Sequence, residues 1–130
     1  MKPIQVLLVD DEPNILRGLR MRLGLEPDIH VVGEAADGST AVDMARRLSP
    51  DVVLMDVNMP VMDGIAATRE LATRAPDSAV VILSMHDDHG TVDRALAAGA
   101  VAFVAKQRID SALLAAIRKA AQGRKRATID

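Results

Sequence analysis

Residues 4–23, IQVLLVDDEPNILRGLRMRL, hold a complete strand-to-helix unit. IQVLLV has the length of a strand, and its unbroken apolar run VLLV is that of one buried on both faces, as parallel strands are. Two carboxylates, Asp10 and Asp11, end the run. Pro13 then suits the first turn of a helix, where its missing N–H forfeits no hydrogen bond. Ile15, Leu16, Leu19 and Leu23 follow at helical spacing on one face. A buried run that stops at charged groups and gives way to a helix is the repeating unit of an open parallel sheet. Such sheets collect their functional groups where the strands end.

The same unit recurs outward along the chain. IHVVGEA (29–35) reads as a second strand, followed by an Asp37-Gly38 turn and a helix through Ala41, Ala45 and Leu48 that Ser49-Pro50 closes. VVLMD (52–56) is a third strand, and the loop Asn58 to Gly64 hands over to a helix reaching about Arg74. AVVILS (79–84) is a fourth strand, and after a polar stretch comes a helix that stops at Ala98-Gly99. VAFVA (101–105) is the fifth, and the final helix carries Ile109, Leu113, Leu114 and Ile117, with Asp110 and Ser111 placed to cap its start. Regular alternation of five strands and five helices predicts an α/β fold: an open parallel sheet with helices on both faces and right-handed crossovers. No internal repeat, low-complexity segment or interior linker interrupts it.

The strand ends carry the chemistry. Asp10 and Asp11 end the first, Asp56 the third, Ser84 the fourth and Lys106 the fifth. Adjacent carboxylates raise one another's pKa, and a cation relieves that repulsion. Magnesium favours hard oxygen ligands, typically one or two carboxylates plus a phosphate oxygen. Judged singly, the Asp pair is a helix entry, Lys106 a surface lysine and Ser84 a strand-end hydroxyl; the shared position decides otherwise. A third carboxylate beside the first two makes an ionic cluster of the kind that marks function. Asp56 is therefore the candidate nucleophile, able to form an acyl phosphate. Lys106 and a metal would neutralise the transferring group, and Ser84 would donate a hydrogen bond to it.

Bulk properties narrow the classes. The 130 residues allow one domain, with 49% hydrophobic and 26% charged residues and a formal net charge of −2. That balance gives no basic footprint for nucleic acid. Cysteine is absent, so disulfides and thiolate metal sites are excluded. Apolar stretches fall short of the roughly 20 residues a membrane span needs, and MKPIQ has no signal-peptide core. A cytoplasmic protein without membrane association is the expectation. Phe103 is the sole aromatic residue.

The segments VLLVDDEPNI, LMDVNMPVMDG, VVILSMHDD and AGAVAFVAK, in this order and spacing, resemble the receiver domain of bacterial two-component response regulators. The resemblance covers residues 4 to about 122. It implies a flavodoxin-like (βα)5 doubly wound sheet, with five parallel strands in the order 2-1-3-4-5. By that resemblance Asp56 is the phosphoacceptor, and Asp10, Asp11, Asp56 and the backbone carbonyl of Asn58 hold Mg2+. Lys106 binds the phosphoryl group, Ser84 is the switch hydroxyl, and Phe103 stands at the aromatic switch position. His86, two residues after Ser84, falls near a position that tunes acyl-phosphate lifetime. Receivers often have proline after the lysine, whereas Gln107 stands here. A cis bond there loses its support, since a cis peptide without proline costs roughly 2.5 to 4 kcal/mol.

Residues 33–72 look like the NarL/LuxR-type subfamily, whose members usually carry a helix-turn-helix domain after the receiver. The resemblance implies a phosphorylation-activated switch. A partner histidine kinase would supply the phosphoryl group, and the altered output face would control homodimerisation and a DNA-binding output domain. Residues 1–122 would form the receiver. Residues 123–130 would form a tail or the start of a linker to an output domain absent from these residues, so DNA would be contacted only through that domain. The protein would assist its own phosphorylation and dephosphorylation without being an enzyme.

Alternatives stay open: a stand-alone receiver, or an aspartyl-nucleophile phosphohydrolase. The latter resembles haloacid-dehalogenase-like enzymes, which need an acid two residues after the nucleophile. Asn58 stands there, and an amide cannot donate and recover a proton. A nucleotide carrier lacks its GxGxxG or Walker loop. His86 and His89 suggest zinc, but no third strong ligand joins them. Basic Arg124, Lys125 and Arg126 complement the dipole of the last helix.

Overall fold

A computed structural model describes residues 2–59, 61–85 and 89–129; for His89 and residues 108–111 and 124–129 it describes the backbone alone. Strands β1 (Ile4–Val9), β2 (Ile29–Ala35), β3 (Val52–Asp56), β4 (Ala79–Ser84) and β5 (Ala102–Ala105) alternate with helices. These are α1 (Pro13–Gly24), α2 (Gly38–Leu48), α3 (Gly64–Arg74), α4 (His89–Ala98) and α5 (Ile109–Ile129). The strands form one parallel sheet in the order β2-β1-β3-β4-β5, the expected doubly wound arrangement.

Alternation along each strand divides the core in two. Val6, Leu8, Val52, Leu54, Val81, Leu83 and Val104 pack with Leu19 and Leu23 of α1 and Leu113 and Ile117 of α5. Leu7, Val9, Val53, Met55 and Ile82 pack on the opposite face with residues of α2, α3 and α4. Alanines at 41, 45, 67, 95 and 98 let those three helices lie close to the sheet. Each fully buried Leu or Ile contributes about 1.5 to 3 kcal/mol of transfer free energy. The two layers fix the register of β3, all five of whose residues are buried, and so fix where Asp56 emerges.

Local chemistry sets the ends of the helices. Pro13 opens α1, as expected. Gly99, with φ +119°, stops α4; its N–H donates to Leu96 O at 3.1 Å, and Ala100 N–H donates to Ala95 O at 3.0 Å, the paired bonds of a Schellman end. Two boundaries differ from the sequence expectation. β5 begins at Ala102, one residue late, because Val101 is 56% exposed outside the strand. A 3₁₀ turn, Lys106–Arg108, precedes α5, so Asp110 and Ser111 fall inside its first turn and not ahead of it. Their side chains, and those of Ile109, Arg124, Lys125 and Arg126, lie outside the described residues. The α5 backbone is helical through residue 129. Among the described residues no peptide bond is cis, in keeping with Gln107 after Lys106.

An ionic brace joins α5 to the segment before β2. Arg118 Nε donates to Asp28 Oδ2 at 2.9 Å, and its Nη2 donates to Glu26 Oε1 at 2.7 Å and Asp28 Oδ1 at 3.0 Å. Arg22 of α1 also reaches Glu26, at 3.2 Å.

Candidate functional site

Three carboxylates meet at the carboxyl edge of the sheet. β1 and β3 are neighbours whose register pairs Val9 with Met55, so Asp10 and Asp56, one residue further on each, emerge side by side. Asp10 is anchored: its N–H donates to Ala35 O at 3.0 Å and its Oδ1 accepts from Glu12 N–H at 2.9 Å. One ligand oxygen each from Asp10, Asp11 and Asp56 lies within 4.8 Å of the others. Asp10 and Asp56 are buried, and Asp11 faces solvent.

Lys106 arrives at the end of β5 and bridges the buried pair. Its Nζ lies 2.9 Å from Asp10 Oδ2 and 3.1 Å from Asp56 Oδ1, with the lysine side chain 6% exposed. Burial raises the pKa of Asp56 above the usual carboxylate range, and the charge on Asp10 and, less strongly, Asp11 adds to that; Lys106 opposes it. Burial alone would depress the Lys106 ammonium, but its hydrogen bonds to Asp10 and Asp56 outweigh this and leave its pKa raised. With every group ionised, three carboxylates face one ammonium and two negative charges stay uncompensated. The donor set, all hard oxygen, and the missing double positive charge fit a divalent cation of the magnesium or calcium type.

Of the remaining sequence candidates, Ser84 stands at the same edge of the sheet. Ser84 is 1% exposed at the end of β4. It pairs in register with Ala105, directly before Lys106, while Asp56 pairs with Leu83, directly before Ser84. The hydroxyl-bearing residue thus stands between the strands of the nucleophile candidate and the lysine. Phe103 lies opposite Ile82 on β5, partly buried against the core layer that includes Ala95 and Ala98 of α4. Asn58 is exposed in the loop after β3, where Met59 and Met62 tuck against the core. His86 and the pairing of His86 with His89 as zinc ligands lie outside the described residues.

One contributor escaped sequence reading. Gly64 N–H donates to Val57 O at 2.8 Å, and a Cβ on Gly64 would stand 1.9 Å from Asp56 O. Only glycine lets α3 start this close to the backbone of Asp56. The available signal was Asp63-Gly64 at a helix start, since a glycine often marks close approach of backbone to backbone.

Comparison with known proteins agrees with this geometry. The response regulator receiver domain family matches residues 6–118, and the chain belongs to that family. It is 40% identical over 120 residues to transcriptional regulatory protein DegU of Brevibacillus brevis, covering 92% of this chain and 51% of the relative. It is 40% identical over 123 residues to nitrate/nitrite response regulator protein NarP of Escherichia coli strain K12, covering 95% and 57% respectively. Among solved structures, a LuxR-family two-component response regulator from Aurantimonas sp. SI85-9A1 superposes with a TM-score of 0.89 at 33% identity, covering 94% of this chain and 87% of that one. The chain spans about half the length of the curated relatives it matches.

Proposed function

We propose that this chain is the phosphoacceptor switch of a two-component response regulator, with residues 1–122 as the receiver unit and 123–130 as its tail or the start of a linker. The observation that carries the reading is Lys106 Nζ shared between Asp10 and Asp56 inside the carboxylate cluster. Asp56 attacks the phosphorus of a phosphohistidine on a partner kinase; the P–N bond breaks, the imidazole leaves with its electron pair, and an acyl phosphate forms on the carboxylate. Asp10, Asp11, Asp56 and the Asn58 carbonyl would hold Mg2+, which would supply charge neutralisation for the phosphoryl oxygens. Lys106 exchanges its contact with Asp56 for one with the incoming phosphoryl group. Ser84 donates a hydrogen bond to that group, and Phe103 follows on β5, biasing an existing two-state equilibrium. His86 sets the lifetime of the acyl phosphate.

The chain accepts and loses a phosphoryl group without enzymatic turnover of small phosphoesters, because Asn58 offers no acid two residues after Asp56. The whole protein works in the cytoplasm as a transcription regulator; among the described residues no helix is long and apolar enough to cross a membrane. Phosphorylation favours a homodimer, and DNA is reached through an output domain. Similarity to DegU and NarP supports this.

Acetyl phosphate or beryllofluoride with Mg2+, followed by mass spectrometry and NMR, provides the test. Wild type gains one phosphoryl mass or a new set of shifts, and Asp56→Ala gains neither. Labelling of Asp56→Ala, or rapid multiple turnover of p-nitrophenyl phosphate by wild type, would favour a phosphohydrolase instead.

A further inference from the structure

Two helices begin with the same dipeptide, and both beginnings hold the loop between β3 and α3. Asp37 caps α2 by accepting from Thr40 N–H at 2.8 Å, and Asp63 caps α3 by accepting from Ala66 N–H at 2.8 Å. In each helix the next residue is a glycine, whose N–H has no acceptor within the helix. Gly64 closes the loop on itself through Val57 O at 2.8 Å, whereas Gly38 reaches it from another element, donating to Met62 O at 3.1 Å.

Gly38 is not there for conformational freedom, since its φ lies outside the left-handed region. What forbids a side chain is contact: a Cβ would fall 2.5 Å from Met62 O and 3.0 Å from Ala67 Cβ. Gly18 and Gly24 of α1, by contrast, have nothing within 4 Å of that position. The loop needs such restraint. Val61 is held at φ +68° while 87% exposed, a left-handed conformation for a β-branched residue. Strain of this kind costs roughly 1 to 3 kcal/mol and persists only where the surroundings enforce it.

We infer that Gly38 is a positioning residue for the cation site: its close packing on the Met62 carbonyl fixes the entry to α3, where Gly64 N–H holds Val57 O, and with it the backbone carbonyl of the next residue, Asn58. The inference rests on the proposed function, which gives that carbonyl to Mg2+. It adds a role for α2, an element that supplies no residue to the carboxylate cluster.

A Mg2+ titration followed by amide NMR, run on the whole chain with a thermal melt of each variant, tests it. In wild type the Gly38 amide should move with the same midpoint as Asp56 and Asn58. Gly38→Ala should bind Mg2+ roughly tenfold more weakly, the scale of loss when a supporting residue behind a metal ligand is changed. Gly18→Ala should leave the affinity unchanged. Unaltered affinity in Gly38→Ala overturns the inference, as does a lowered melting point without loss of affinity. A Gly38 amide that stays still during the wild-type titration overturns it even if the variant does not fold. Absence of any saturable Mg2+ binding by wild type overturns the cation site itself, a result separable from the other failures.

Discussion

Asp56 illustrates how a single residue can be held against its own preference. Its carboxylate is buried beside Asp10, so the folded chain favours the protonated form more than the unfolded chain does. With the folded pKa raised above 3.8, the associated stability is fully present below that value and lost as pH rises through the folded pKa. In metal-free buffer Asp56→Asn should therefore be more stable than wild type at pH 7, because the amide carries no charge to bury beside Asp10. The gap should close towards pH 4. Urea unfolding at both values measures it, and a gap that widens in acid refutes the electrostatic account. Sequence reading reached Asp10, Asp11, Asp56 and Lys106 because each ends an apolar run. It could not see that Lys106 Nζ bridges two of them, because the contact with Asp10 joins residues 96 apart in the chain and no local pattern encodes it.

Elements were legible where periodicity is strong. β1, β3 and β4 carry the apolar runs VLLV, VVLM and VVIL, and α4 ends at the glycine expected to end it. Less legible were ends set by packing in three dimensions, such as the exposed Val101 beside β5 and the 3₁₀ turn ahead of α5. The Arg118 brace was likewise invisible, since it pairs α5 with residues about 90 positions earlier. Hydrogen bonds from Arg118 lower the pKa values of both Glu26 and Asp28. Their contribution to stability is present above 4.5 and 3.8 respectively and is lost as pH falls through the depressed folded values. Arg118→Ala should lower the unfolding midpoint at pH 7 and much less in strong acid. High salt should shrink the effect, as for any exposed ion pair. Equal destabilisation at both pH values would instead assign the effect to lost packing of the arginine stem.

For the whole molecule, the proposed cation site would make metal binding a source of stability. A ligand that binds only the folded state at one hundred times its dissociation constant adds about 2.7 kcal/mol. Mg2+ should accordingly raise the thermal midpoint of wild type, and chelation should reverse the rise. Asp56→Ala should show a reduced rise, because one of the three carboxylates is gone. A midpoint insensitive to Mg2+ in wild type would overturn the cation reading of the cluster.

Phe103, alone among 130 residues in carrying an aromatic ring, also has a practical consequence. With neither tryptophan nor tyrosine, the chain is nearly dark to near-ultraviolet fluorescence. Biosynthetic incorporation of fluorophenylalanine would place one fluorine in the entire polypeptide, on β5, three residues before Lys106. Its ¹⁹F spectrum should show one resonance at rest and a second growing in as beryllofluoride is added, testing the switch role proposed for Phe103 without any assignment problem.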